Sequence, residues 1–156
     1  MEKCEMTKQI SFSELPLIRQ RHADRKIVFT NGCFDLLHVG HIRCLRFAAS
    51  LGDVLVVGLN SDNSVKRLKG ESRPIIHQED RAEMLAALDF VDYIIIFEED
   101  TPYKLVECLH PNVLVKGGDW KAEQIEESVL ADEFVQAPYY PDKSTSNIID
   151  TIRLSK

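Results

Sequence analysis

Two histidines, His38 and His41, flank Gly40 at the point where an apolar run and a short turn give way to helical spacing from Ile42 onward. Residues three positions apart share one face of a helix, so both imidazoles can reach the same ligand. The first N–H groups of a helix lack intrahelical partners and lie at its positive end, which favours an anion. Gly40 has no side chain to block the approach of that anion to the backbone. The pattern predicts stabilisation of a phosphate on which charge develops, which is phosphoryl chemistry.

Short apolar runs alternate with helical patterns along the rest of the chain, and these are the elements that must position the histidines. The runs are mostly continuous, which is typical of strands buried on both faces of a parallel sheet. Strands are predicted over 26–30, 54–59, 93–97, 113–116 and 134–137, and helices over 12–21, 42–51, 79–88, 103–109 and 147–154. The order predicts an α/β fold: a single doubly wound, Rossmann-like parallel five-stranded sheet with helices on both faces. Its ligands should bind beyond the carboxyl ends of the strands.

Three local details of the helices can also be predicted. Met84, Leu85 and Leu88 have the spacing of a buried stripe on the helix over 79–88. Thr101 and Pro102 supply a cap and a first-turn proline for the helix that follows them. Ser144 is placed to cap the last helix.

The composition is that of a soluble globular protein. The chain of 156 residues is long enough for one compact domain, and its net charge of −6 argues against a general nucleic-acid or membrane surface. No apolar run approaches the ~20 residues of a membrane span, and residues 1–10 lack the apolar centre of a signal peptide. The 4 cysteines form no CxxC pair or metal spacing, so we expect reduced thiols and a cytoplasmic location.

A negatively charged chain that binds polyphosphate must concentrate its positive charge locally. Five basic residues cluster in the middle of the sequence: Lys66, Arg67, Lys69, Arg73 and Arg81. They are either phosphate contacts or a solvated basic helix face.

The segment from Thr30 to His41 resembles the HxGH signature of the cytidylyltransferase-like nucleotidyltransferases. From about Ile27 onward the chain is similar to the adenylyltransferase domain of bacterial ADP-heptose synthases. The segments that carry this similarity are Asn60-Ser61-Asp62, Lys66-Arg67-Leu68-Lys69-Gly70, Arg73-Pro74-Ile75, Arg81, Phe97-Glu98-Glu99-Asp100-Thr101-Pro102, Val115-Lys116-Gly117-Gly118-Asp119 and Ser144-Thr145-Ser146-Asn147-Ile148-Ile149. The resemblance implies transfer of AMP from ATP to heptose 1-phosphate, giving ADP-heptose and pyrophosphate, in bacterial lipopolysaccharide or surface-glycan synthesis.

The resemblance also implies a division of the chain and a set of partners. We expect an N-terminal helical extension over 1–25 and a nucleotidyltransferase domain over 26–156. Since the bifunctional synthases carry a sugar-kinase domain ahead of this one, we expect a stand-alone transferase. Its partners would be small molecules, a nucleoside triphosphate and a sugar phosphate, and related enzymes commonly form homodimers. Mg²⁺ is expected, bound mainly through nucleotide phosphates and water, with no metal site built from protein side chains.

Residue roles follow from the same resemblance. His38, His41, Lys66 and Arg81 are the implied catalytic residues, the histidines acting on charge around the α-phosphate. The implied nucleotide-binding residues are Thr30, Asn31, Gly32, Cys33, Phe34, Asp35, Gly40, Asn60, Lys116, Gly117, Gly118, Asp119, Ser144, Thr145 and Ser146. Asp35, Lys69 and Arg73 are the implied acceptor-binding residues.

Each of these roles has a structural or chemical alternative. The histidines could be structural or form part of a zinc site, although no third ligand with a metal spacing is near. Asp35 could order its turn, the Gly117-Gly118 pair could serve a turn that needs positive φ, and the Ser144 segment could be an N-cap.

Two alternatives concern the function as a whole. The first is a cytidylyltransferase that acts on glycerol 3-phosphate or a similar small phosphate. Tyr139 stands where such enzymes typically have an arginine, which favours the heptose-type reaction. The second is a nucleotide-binding module without catalysis, which is disfavoured because the HxGH and phosphate-binding segments are both intact.

Overall fold

The structure, a computed structural model, describes residues 7–118 and 120–155. In these two ranges, the strands are β1 (Ile27–Gly32), β2 (Val54–Asn60), β3 (Tyr93–Phe97), β4 (Val113–Lys116) and β5 (Glu133–Gln136). The α-helices are α1 (Leu15–Arg21), α2 (Val39–Ser50), α3 (Asp62–Lys69), α4 (Gln78–Ala86), α5 (Tyr103–Leu109) and α6 (Thr145–Leu154). Short 3-10 segments cover Phe12–Glu14, Ala122–Gln124 and Glu126–Leu130.

The strands form one parallel sheet in the order β3-β2-β1-β4-β5. Successive connections lead from β1 outward through β2 to β3, whereas β4 returns to the other side of β1 and β5 lies beyond it. The strand order therefore reverses between β1 and β4, and the carboxyl ends of these two strands flank a crevice. This topology confirms the predicted doubly wound, Rossmann-like sheet.

Side chains alternate between two hydrophobic cores, one on each face of the sheet. Phe29 points into a core shared with α1 and α5, whereas its neighbour Val28 points into a core shared with α2 and α4. The predicted helical extension is part of the first core, because Leu15 and Ile18 are almost completely buried there. Helices thus cover both faces, as the continuous apolar strands predict.

Three local features differ from the predictions. Met84 is 51% exposed, so the predicted buried stripe of α4 is wrong at that position, and Arg81 is buried on the same helix instead. Helix α5 has Pro102 itself at its N-cap, without a side-chain capping bond, so Thr101 does not cap it. Helix α3 was not predicted, because it buries only Ser64 and Val65.

Within the described ranges, every helix is too short or too polar to cross a lipid bilayer.

Candidate active site

The two histidines stack on each other at the amino end of α2. The His38 Nδ1 atom accepts a hydrogen bond from the Gly40 N–H (3.0 Å) and caps the helix, and the His41 Nδ1 atom accepts one from the His38 N–H (3.4 Å). The ring centroids are 3.8 Å apart with an interplanar angle of 24°. Since Nδ1 is the acceptor in both rings, a neutral imidazole carries its proton on Nε2. Both rings therefore offer Nε2–H as a donor.

Both imidazoles are neutral at pH 7. Burial lowers the pKa of His41 to about 4, and the charge of His38, when that ring is protonated, acts in the same direction. A backbone hydrogen bond with Leu36 opposes this shift but does not cancel it. Burial also lowers the pKa of His38. Two neutral N–H donors suit a phosphate group, because they stabilise developing charge by hydrogen bonding without first having to be protonated.

Gly40 is required by the His38 ring. A Cβ atom at this position would lie 2.8 and 2.9 Å from the ring and 3.0 Å from the Cβ of Lys143. Any larger residue would push the ring out of its capping position. Gly40 therefore fixes the orientation of one of the two donors.

The turn after β1 brings Phe34 against the histidines. Phe34 has a φ of 47°, so the left-handed residue of the turn is Phe34 and not the glycine that precedes it. Its ring lies edge-on to His41 with centroids 5.2 Å apart, and it is buried in the second core. A Cβ on Gly32 would lie 3.1 Å from the Phe34 ring, so Gly32 makes room for that ring.

The amino end of α6 lies beside the histidines. Ser144 caps α6 by accepting a hydrogen bond from the Asn147 N–H (3.1 Å), which confirms the predicted cap. Thr145 Oγ1 donates to the Leu36 carbonyl (3.4 Å), which ties the helix to the turn before His38. A cleft of about 290 Å³ is lined by His38, Asp142, Lys143, Ser144, Asn147, Ile148, Thr151 and Ile152. The amino ends of α2 and α6 thus meet at one cleft. Ser146, which follows Thr145 in α6, is exposed.

Asp35 orders the loop that follows α3. It is 1% exposed, and its carboxylate accepts hydrogen bonds from Arg73 Nε (2.5 Å) and from the N–H groups of Ile75 (2.8 Å) and Ile76 (2.9 Å). Burial alone would raise the pKa of Asp35, but these bonds outweigh it and hold the pKa below its ordinary value. The carboxylate is therefore ionised and occupied, and it fits the predicted alternative of an ordering role.

Arg81 does not reach the cleft as a phosphate contact. It is 1% exposed, and its guanidinium donates to the carbonyls of Cys33 (2.6 Å), Asn60 (2.8 Å) and Ile76 (2.9 Å) and to Asp62 Oδ1 (2.8 Å). The family resemblance implies that Arg81 reaches the triphosphate or the second substrate, and the structure corrects this expectation because the guanidinium is buried and held by four acceptors. Arg81 instead joins the segments that follow β1, β2 and α3 beneath the site.

The basic cluster is only partly available to a ligand. Arg67 pairs with Asp100 (2.9 Å) and Arg73 with Asp35, so they are held by carboxylates. Lys66 and Lys69 are exposed on the last turn of α3. Burial raises the pKa of the Cys33 thiol, and the positive charge of Lys69 opposes this rise. Lys69 is therefore close to the turn after β1.

The carboxyl ends of β1 and β4 are joined by polar side chains. Lys116 Nζ donates to Asn31 Oδ1 (2.6 Å) and lies 2.9 Å from Glu127 Oε1. Thr30 and Asn60 are buried close by on β1 and β2. Burial lowers the pKa of Lys116, and Glu127 opposes that shift. Sequence reasoning missed Glu127, because nothing in the sequence aligns the 3-10 segment with β4.

The glycine turn after β4 has one residue with positive φ. Gly118 has a φ of 91°, and a Cβ on Gly117 would lie 3.0 Å from the Cys44 sulfur. Gly118 therefore meets the conformational requirement of the turn, and Gly117 allows close packing against α2. Asp119, predicted to bind nucleotide, lies outside the described residues.

The described residues form no protein site for a metal ion. Among them, no group of three histidine, cysteine or carboxylate side chains lies close enough to hold one. The zinc alternative for His38 and His41 therefore has no third ligand within the described part of the chain.

The comparisons with known proteins agree with this geometry. Residues 29–151 match the family model described as Cytidylyltransferase-like. The chain is 56% identical over 129 residues to the bifunctional protein HldE of Aliarcobacter butzleri, which covers 83% of this chain and 27% of that protein. It is 57% identical over 132 residues to HldE of Geobacter metallireducens, covering 82% of this chain and 27% of that protein. The chain thus spans little more than a quarter of the length of these relatives.

Two solved structures share the fold. The lipopolysaccharide core biosynthesis protein from Thermoplasma volcanium GSS1 superposes with a TM-score of 0.64 at 30% identity, covering 74% of this chain and 98% of that one. Pantoate-beta-alanine ligase from Francisella tularensis, complexed with beta-gamma ATP and beta-alanine, gives a TM-score of 0.57 at 17% identity, covering 94% and 77%, and shows the fold alone. The chain belongs to the cytidylyltransferase-like family and is a nucleotidyltransferase, which confirms the class predicted from its sequence.

Proposed function

We propose that this chain is an adenylyltransferase that transfers AMP from ATP to heptose 1-phosphate and releases pyrophosphate. The observation that carries the proposal is the pair of neutral imidazoles, His38 and His41, beside the amino end of α6. The similarity to HldE proteins and to a lipopolysaccharide core biosynthesis protein supports a sugar phosphate as the acceptor.

The reaction is an in-line displacement at the α-phosphorus. An oxygen of the sugar phosphate forms a new bond to the α-phosphorus, and the bond from that phosphorus to the bridging oxygen breaks, so pyrophosphate leaves. Such a transfer depends on positioning and on stabilising charge rather than on a covalent protein nucleophile. The Nε2–H groups of His38 and His41 would donate to the α-phosphate oxygens, where charge rises in the transition state.

The leaving phosphates have a matching site at the amino end of α6. The first N–H groups of α6 and the hydroxyls of Ser144 and Ser146 can donate to phosphate oxygens, whereas the Thr145 hydroxyl donates to the Leu36 carbonyl. Lys66 and Lys69 add exposed positive charge on α3. Lys69 lies near the turn after β1, where the sugar phosphate would approach.

Mg²⁺ enters this proposal as an ion carried by the triphosphate. The nearest buried carboxylate of the turn, Asp35, is already occupied by Arg73 and two backbone N–H groups. The ion would therefore use phosphate oxygens and water, and would lower the charge of the triphosphate when bound. None of the residue roles above depends on a protein ligand to it.

The substrate assignment is tested by pyrophosphate release with Mg²⁺, crossing ATP and CTP with heptose 1-phosphate and glycerol 3-phosphate. Reactions without acceptor give the background. We expect release only from ATP with heptose 1-phosphate. Release from CTP with glycerol 3-phosphate would support nucleotidyl transfer and contradict the assignment of ATP and heptose 1-phosphate as the substrates. Nucleotide binding without release from any pair would indicate a binding module.

We also propose that the chain forms a homodimer, as the family resemblance implies. Light scattering after gel filtration at micromolar concentration would give about twice the chain mass of 17.8 kDa. A single monomeric peak at every concentration would contradict this proposal.

A further inference from the structure

Glu127 is a buried acid to which the site chemistry described above gives no role. It lies in the 3-10 segment Glu126–Leu130, and its side chain is only 4% exposed. Its carboxylate faces Lys116 Nζ at 2.9 Å. A carboxylate loses much of its hydration when it is buried, and here it faces a buried partner of opposite charge. The pair lies at the carboxyl ends of the strands, where ligands bind in this fold.

Lys116 links Glu127 to the end of β1. Its ammonium has three N–H donors and no acceptor. Nζ donates a hydrogen bond to Asn31 Oδ1 (2.6 Å) and forms an ion pair with Glu127 Oε1 at 2.9 Å. The ammonium is thus held at the carboxyl end of β4 between a carboxylate and an amide oxygen.

The same contact fixes the amide of Asn31. Because lysine can only donate, the oxygen of the Asn31 amide must face Lys116 and the NH₂ group must face away from it. Asn31 is partly exposed at the carboxyl end of β1, one of the strands that flank the crevice. An amide held in this orientation presents donors, not an acceptor, to a bound nucleotide.

We propose that Glu127 is a positioning residue for nucleotide binding: it keeps Lys116 charged and in place, and Lys116 in turn orients Asn31. The inference rests on the proposed function only in taking a nucleotide as the ligand. Burial of Lys116 disfavours its charged form, and Glu127 is the charged group that opposes this effect. Without Glu127 the ammonium would lose both its counter-ion and its anchor.

The test measures nucleotide affinity by calorimetry, titrating ATP and CTP with Mg²⁺ in the absence of acceptor. Glu127→Gln should weaken binding of the preferred nucleotide about tenfold, because Lys116 loses the charged partner that holds it beside Asn31. It should also move the alkaline limb of the binding–pH profile to lower pH, because Lys116 then loses its proton more easily. Glu99→Gln is the matched control, since it removes a carboxylate from an exposed pair with Lys104 (3.1 Å) and should leave affinity unchanged.

A double variant separates positioning from stability. Lys116→Met with Glu127→Leu replaces the buried pair with apolar side chains of similar volume, which can preserve folding. We expect a melting temperature near that of the wild type and affinity still reduced about tenfold. Wild-type affinity in this folded double variant would overturn the inference, even if Glu127→Gln alone fails to fold.

The outcomes separate this inference from the proposed function. Weaker nucleotide binding in the Glu127 variants, with no pyrophosphate from any substrate pair, would leave the positioning role intact and refute the reaction. Pyrophosphate release by the wild type together with unchanged nucleotide binding in the variants would support the reaction and refute the positioning role of Glu127.

Discussion

Arg81→Lys should destabilise the protein strongly. The guanidinium makes four hydrogen bonds of 2.6–2.9 Å to acceptors that lie around its planar fork. A lysine ammonium is a single point of charge and cannot reach acceptors on separate segments at once. If two of the four bonds are lost, at about 1.5–3 kcal/mol each for a charged donor, the free energy of unfolding falls by about 3–6 kcal/mol. At about 2–4 °C per kcal/mol for a chain of this size, the melting temperature falls by about 6–24 °C.

Thermal unfolding followed by circular dichroism, together with urea titration, measures this loss. Arg67→Lys is the control, because the pair of Arg67 with Asp100 is exposed and should contribute less than about 1 kcal/mol. If Arg81→Lys melted within about 2 °C of the wild type but bound ATP far more weakly, the structural role of Arg81 would be refuted. Arg81 would then be a direct phosphate ligand, as the family resemblance implies.

Three further predictions concern the turn and the histidines. The pKa of His41 is about 4 in the folded protein, below the ordinary value of 6.5, so the unfolded state binds more protons between these two pH values. The free energy of unfolding should therefore fall by about 3 kcal/mol from pH 6.5 to pH 4. Urea titrations should show this loss, and His41→Asn should abolish it. If the free energy of unfolding of His41→Asn varied with pH as steeply as that of the wild type, the low pKa would not belong to His41. Gly40→Ala should displace the His38 ring and lower kcat at least about tenfold in steady-state assays, whereas the exposed Val39→Ala should not; equal kcat values would be incompatible with the packing. Asp35→Asn should release Arg73 and raise KM for the acceptor about tenfold, with a smaller effect on KM for ATP; equal effects on both would argue against a local ordering role.

The sheet could be predicted from the sequence because its strands are continuous apolar runs. Val54–Asn60 is buried at every position, and such a run has few other interpretations. Helix α3 was missed because Val65 and Leu68 are its only apolar residues. A capping signal was nevertheless present, because Ser61 accepts a bond from the Ser64 N–H (3.1 Å). Met84 shows the opposite error, since correct helical spacing did not decide which face was buried.

The histidine pair could be predicted because its chemistry is local. His38 is the N-cap of α2, and Gly40 and His41 lie in its first turn, so a spacing of three residues is enough to bring the two rings together. The role of Arg81 could not be predicted in this way, because its acceptors come from segments that are distant in the chain. The pairing of Glu127 with Lys116 likewise depends on tertiary packing, to which sequence spacing gives no access.

The most direct test of the central claim is the rate of pyrophosphate release in His38→Asn and His41→Asn. Asparagine is a good N-cap, so His38→Asn keeps the capping acceptor of α2 while it removes the Nε2–H donor. We predict that each variant binds ATP with near wild-type affinity and releases pyrophosphate at least about 100-fold more slowly under saturating substrates. Undiminished release in both variants would contradict the assignment of these two imidazoles to charge stabilisation at the α-phosphate.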